Sequence, residues 1–216
     1  MAQLWDISPP VHAESPVFPG DHATEVDWTF RIGPGCPVNV AEISVSAHVG
    51  AHADAPLHFT DGGTPAGEMP LEPFLGPCRV IDVSRVRPLV TVDDIDHDDL
   101  TGLPPRVLFR TYATQPTAWD DSFCALTPEL MDLLASRGVH LVGTDAASVD
   151  PADSKDLPAH YATPRHDVRI LENLRLDEVP AGDYELIAPP LKLTTADAAP
   201  VRAVLRPLPH DQEKTQ

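Results

Sequence analysis

Between residues 48 and 58 the chain reads His48-Val49-Gly50-Ala51-His52-Ala53-Asp54-Ala55-Pro56-Leu57-His58, three imidazoles and a carboxylate separated only by small or apolar residues. Nitrogen and oxygen donors of this kind hold zinc and its neighbours in catalytic sites, where one coordination position stays open for water. The plain alternative, surface histidines scattered around a turn, suits a stretch without Lys, Arg or Glu poorly. The spacing H-x3-H-x-D would fit one face of a helix, but Gly50 lies inside it and Pro56 closes it. The preceding run, residues 38–46, alternates as a strand does. The donors are therefore placed on a strand end and the turn leaving it, with Gly50 bending the backbone so that His48, His52 and Asp54 converge.

Such donors need a rigid frame. Residues 26–32 alternate as a strand and pair with 38–46 across Gly33-Pro34-Gly35, with Trp28 as a core or half-buried aromatic. Residues 4–8 read as a short first strand. The segment from there to Asp21 has too many prolines for a helix or a central strand, and its Phe18 either plugs the core or lines a pocket. Residues 79–83 and 106–111 read as strands. Residues 91–100 open like a capped short helix, where His97 among aspartates belongs to a solvated face. The clearest helix spans 127–137: Thr127 caps it, Pro128 takes the first position, Leu130, Leu133 and Leu134 form its apolar stripe, and Gly138 ends it. A strand at 139–145 follows, and strand, helix, strand at this spacing points to parallel pairing within a mixed sheet. Residues 168–174, 184–188 and 201–205 complete it. A single α/β domain with a mixed β-sheet core and few helices is expected over 1–208, followed by a polar tail at 209–216 with nothing to bury.

Composition narrows the partners. A formal charge of −18 repels nucleic acid and anionic membranes, which leaves a small molecule as the natural ligand. Cys36, Cys78 and Cys124 are far apart and odd in number, so they read as reduced core thiols and not as a disulfide framework or a thiolate zinc site. The first residues lack a basic, apolar leader, and no apolar run is long enough to span a bilayer. A soluble, cytoplasmic protein is expected.

The His48 to His58 stretch resembles the signature H-x-G-T-H-x-D-x-P-x-H of the metal-dependent cyclase-like hydrolases. Further matches run through Gly143-Thr144-Asp145, Ser148-Val149-Asp150-Pro151, Ser154-Lys155 and Ala159-His160, then Glu172 in Ile170-Leu171-Glu172-Asn173-Leu174, and residues 177–188. The segment from Ser154-Lys155 to His160 is similar to that of the bacterial kynurenine formamidases. This resemblance implies a swivelling β/β/α fold, a homodimer, and two zinc ions per subunit, with manganese possible. It implies that His48, His52 and Asp54 bind one metal, that Asp54 bridges to a second held by His160, and that Glu172 bridges both. It implies that His58 is the proton donor and acceptor, and that Phe18 sits against the substrate ring where these enzymes usually carry Trp. His58 as a support that orients a ligand is the alternative. Ala51 for Thr, Phe18 for Trp and Tyr161 for a second His depart from the pattern, around the pocket rather than among the donors. The implied activity is hydrolysis of N-formyl-L-kynurenine in tryptophan breakdown. Hydrolysis of another aryl or cyclic amide, as in isatin hydrolases, and a metal-binding module without catalysis are the alternatives.

Overall fold

A computed structural model describes residues 3–208, so the tail expected at 209–216 lies outside the described residues. In chain order the strands are β1 (Trp5–Asp6), β2 (Glu25–Phe30), β3 (Val40–Ser44), β4 (His52–Asp54), β5 (Leu75–Asp82), β6 (Leu89–Val90), β7 (Arg106–Arg110), β8 (Ala125–Leu126), β9 (Leu141–Thr144), β10 (Arg169–Glu172), β11 (Gly182–Ile187), β12 (Ala198–Pro200) and β13 (Val204–Arg206). The helices are short: α1 (Pro56–Phe59), α2 (Pro128–Ser136) and α3 (Pro158–Ala162). Nine strands form one sheet in the order β1-β13-β11-β5-β7-β9-β10-β4-β12. Its middle, β5-β7-β9-β10, is parallel, and antiparallel strands extend it on both sides. The mixed α/β architecture with few helices agrees with the sequence reading.

Both faces of the parallel centre are covered, which is why β7 and β9 read as nearly continuous apolar runs. Alternate residues feed separate cores. Leu108, Leu141 and Leu171 face Phe74, Leu186 and Leu205, whereas Val107, Phe109 and Val142 meet Leu130, Met131 and Leu134 of α2. The Thr127 hydroxyl accepts the Leu130 amide at the start of α2, as the cap residue predicts.

Several details differ from expectation. The histidine cluster does not sit at the end of the strand it follows. β2 and β3 form a separate hairpin, and the chain then turns so that His52 and Asp54 lie on a strand of the large sheet. Gly50 makes that redirection, with φ +60°. The hairpin also explains why Trp28 is 43% exposed and why Cys36 is not buried, unlike Cys78 and Cys124: both aromatic and thiol lie on an arm outside the cores. Of residues 91–100 only Val92–Asp94 winds into a single 3-10 turn, held by the Thr91 and Asp94 capping box. Residues 158–162 form the short helix α3, which no cap or apolar stripe in the sequence announces.

α1 is one turn long and carries His58, so its position depends on what packs against it. A Cβ at Gly63 would lie 2.5 Å from the Pro56 carbonyl oxygen and 2.7 Å from the Leu57 nitrogen. Both contacts are backbone and cannot yield by side-chain rotation. Gly63→Ala is expected to destabilise the protein by about 1–3 kcal/mol, read as a lower denaturation midpoint, with reduced turnover because the His58 turn is displaced.

Candidate metal centre

The carboxyl ends of β7, β9 and β10 open onto a cavity of about 330 Å³, the place where open α/β sheets bind ligands. Tyr112, Asp145 and Asn173, each just beyond one of those strands, line it. Strand pairing assembles the rest. β4 lies between β10 and β12, which sets Glu172 directly across from His52 and Ala198 across from Asp54. Asp197, one residue before β12, is thereby delivered to the same place. His160 arrives on α3, whose first amides are pinned by Asp150: its two oxygens accept the Ala159 and His160 N–H groups at 2.9 and 3.0 Å.

The expected residues converge. Asp54 Oδ1 lies 3.1 Å from His48 Nδ1 and 3.4 Å from His52 Nε2, and Asp54 Oδ2 lies 3.2 Å from His160 Nε2. Glu172 Oε2 is 3.4 Å from His52 Nε2, and its Oε1, which accepts the Val149 amide at 2.8 Å, is 3.7 Å from His160 Nε2. His52 donates its Nδ1–H to the Gly50 carbonyl at 2.9 Å, and His160 donates its Nδ1–H to Asp150 at 2.7 Å. Each bond turns the Nε2 lone pair toward the cluster, the usual way a metal-ligating imidazole is oriented.

Two atoms test whether a cation belongs here. His52 Nε2 and Asp54 Oδ1 are buried and have no hydrogen-bond partner, although His48 Nδ1 lies 3.1 Å from the Asp54 oxygen and Glu172 Oε2 3.4 Å from the His52 nitrogen. Leaving such groups unsatisfied is costly. A divalent ion among these donors would satisfy both, and a set of imidazoles and carboxylates without thiolate suits zinc or manganese. The donor atoms of His48, His52 and Asp54 lie within 4.8 Å of one another, and so do those of Asp54, His58 and His160.

Without a cation, protons take its place. Burial pulls His52 down, but Asp54 and Glu172 outweigh it and push the imidazole up to about 10. His160 is likewise lowered by burial and raised further by Asp150 and Asp54, again to about 10. Burial raises Asp54, yet the three imidazoles around it hold its carboxyl well below the usual carboxylate range. Imidazoles raised in this way stabilise the metal-free fold fully below their unfolded value of about 6.5, and that contribution fades as pH climbs toward 10. Metal entry at pH 7 must displace those protons. Loading is expected to release about two protons per protein, and affinity should rise with pH; calorimetry in buffers of different ionisation enthalpy measures both.

His58, on α1 at the rim, donates its Nδ1–H to Asp197 Oδ2 at 3.0 Å and presents Nε2 away from that bond. The same oxygen receives His48 Nε2–H at 3.1 Å. Phe18 lines the cavity at its mouth, so the pocket alternative describes its loop, and its ring meets Trp119 edge to face at 5.2 Å. Ala51 is buried in a hydrophobic core and Tyr161 is exposed; neither lines the cavity, so of the three departures only Phe18 touches the pocket. Asp197, Asp150 and Trp119 were not assigned roles from sequence. Asp150 stands in the Ser148 to Pro151 match, whereas Asp197 and Trp119 sit singly in loops and carry no pattern.

The model of the Cyclase family matches residues 5–151 of this chain. The kynurenine formamidase of Bordetella pertussis (strain Tohama I) is 56% identical over 209 residues, covering 96% of this chain and 100% of its own. That of Delftia acidovorans is 57% identical over 206 residues, covering 95% and 98%. Among solved structures, a potential metal-dependent hydrolase with cyclase activity superposes with a TM-score of 0.83 at 30% identity, covering 96% of this chain and 99% of its own. Isatin hydrolase A from Labrenzia aggregata, bound to benzyl benzoate, superposes with a TM-score of 0.81 at 25% identity over 95% and 94%.

Proposed function

Since the chain belongs to the Cyclase family, we propose that it is a metal-dependent amide hydrolase that converts N-formyl-L-kynurenine to L-kynurenine and formate in tryptophan breakdown. The observation that carries this reading is the 56% identity to a kynurenine formamidase across nearly the whole of both chains. The likeness to an isatin hydrolase, at 25% identity, favours a cyclic aryl amide as the second reading.

In this proposal two divalent ions, zinc before manganese, would be held by His48, His52, Asp54, His160 and Glu172. When bound, such ions supply Lewis acidity, lowering the pKa of water toward about 7 and polarising a carbonyl oxygen. The chain's own residues do the rest. Asp197 fixes the His58 tautomer, since a carboxylate only accepts, and so leaves Nε2 as the base. His58 takes the proton of the attacking water and returns it to the arylamine nitrogen as the C–N bond breaks. Phe18 and Trp119 hold the aryl ring against the cavity wall, which keeps bulk water from the leaving nitrogen. A panel of N-formyl-L-kynurenine, isatin and a lactone tests the substrate class: the formyl amide is expected to be hydrolysed with the highest kcat/KM, and faster opening of isatin would reverse the order of the two readings.

The proposal includes a homodimer in the cytoplasm. Three separate thiols without a disulfide suit that compartment. The β2–β3 hairpin supports pairing: Val26, Phe30, Val40 and Ile43 are exposed along it, and a two-stranded arm is marginal in water without a partner. The arm is also tied to the Phe18 loop, through Ser44 with His22 at 2.9 Å and Ser46 with Asp21 at 2.8 Å. Light scattering is expected to give a dimer mass that falls to the monomer mass in a Trp28→Glu, Ile43→Glu variant; a monomer of the unaltered chain at micromolar concentration would refute pairing.

A further inference from the structure

On the formamidase reading, the substrate carries an amino-acid chain with an ammonium and a carboxylate besides its aryl formamide. The charge of the cavity decides which of these it holds. Asp21, Asp120, Asp145, Glu172 and Asp197 line it, and among the described residues no Lys or Arg does. An ammonium is drawn to those carboxylates that no cation of the metal centre neutralises.

Four of the five carboxylates are engaged or poorly placed. Glu172 belongs to the candidate metal centre, and Asp197 is taken by His48 and His58. Asp145 is 1% exposed, which puts its carboxylate out of a ligand's reach, and it accepts from the Thr111 amide, the Thr111 hydroxyl and the Tyr112 amide. Asp21 lies on the open surface and accepts the Ser46 hydroxyl. Asp120 differs. It is half-buried next to Trp119, the ring that meets Phe18 and is backed by Phe123 at 6.2 Å. Its Oδ2 accepts the Tyr112 hydroxyl at 2.8 Å, and its Oδ1 accepts the Ser122 amide and hydroxyl at 3.0 and 2.6 Å. Those bonds, Ser122 first, together with the Arg87 charge hold the carboxyl below its ordinary range; the bonds fix its direction, and a carboxylate with three donors that is open to the cavity still has room for another.

We infer that Asp120 receives the α-ammonium of the substrate's amino-acid chain and so sets a preference for aryl formamides that bear a cation. An ammonium on an ionised carboxylate gains a charge-assisted bond. The inference rests on the formamidase reading but names a residue beyond it.

Asp120→Asn isolates the charge, because the amide oxygen still accepts from Ser122 and the amide nitrogen donates to the Tyr112 oxygen. The readout is the ratio of kcat/KM for N-formyl-L-kynurenine to that for its deamino analogue, in which hydrogen replaces the ammonium. The ratio is expected to fall by about tenfold in the variant, through KM. An unchanged ratio would overturn the subsite, whether both values drop together, as for a purely structural residue, or neither does. A fall with Asp21→Asn in place of Asp120→Asn would overturn it by assigning the ammonium to Asp21. Equal efficiency of the unaltered protein on both compounds would overturn the subsite alone, whereas no turnover of either would overturn the formamidase reading and the subsite with it.

Discussion

Asp54→Asn is expected to lose its metal and to lower turnover on the order of 10³-fold or more, the scale of several kcal/mol of electrostatic stabilisation removed from the reaction. No other side chain is approached by so many donors of the site: His48, His52 and His160 all point nitrogens at its two oxygens, at 3.1, 3.4 and 3.2 Å. Asn keeps the volume and one acceptor but removes the charge that offsets a cation. The substitution should act in the metal-free protein as well. Burial already opposes charge on His52 and His160, and without Asp54 these imidazoles lose a partner that keeps them protonated. Breaking one side of a buried ion pair costs about 3–5 kcal/mol, so the metal-free variant should melt well below the metal-free parent. Elemental analysis, turnover and melting on the same preparation separate these effects.

His58→Ala is expected to keep the metal and lose on the order of 10²–10⁴ in turnover of the formyl amide. The reason lies in the leaving group. An arylamine departs poorly unless its nitrogen is protonated as the bond breaks, and the proposed donor, His58, is held by Asp197 at 3.0 Å with its side chain 31% exposed, on the rim rather than in the buried cluster. An ester whose alkoxide leaves without a proton should lose much less. His58 also lies close enough to Asp54 and His160 to share an ion with them. A variant that loses metal, or loses both substrates equally, would make His58 a support and not an acid–base group.

The density of donors from His48 to His58 was legible because nothing but chemistry brings such residues together, and α2 was legible because cap, stripe and stop agree. Their spatial partners were harder to read. Glu172 meets His52 only through the register of β10 on β4, and Asp197 reaches His48 and His58 only because β12 pairs on the other edge of the same strand. Register is set by the packing of whole faces, and a single Asp in a loop carries no trace of it. The same limit explains Trp119, whose part depends on a loop beyond β7 folding back toward Phe18. Trp28 was misplaced for a different reason: strand alternation shows that a hairpin exists but not that it stands outside the core.

A metal held by the β4 cluster is expected to be required for formamide hydrolysis. The most direct test is a titration of metal-stripped protein with zinc, following bound metal by elemental analysis and the release of formate from N-formyl-L-kynurenine in the same samples. No turnover is expected in the stripped protein, and the rate is expected to rise in proportion to bound metal until the site is filled. Full turnover by protein shown to contain no metal would contradict it.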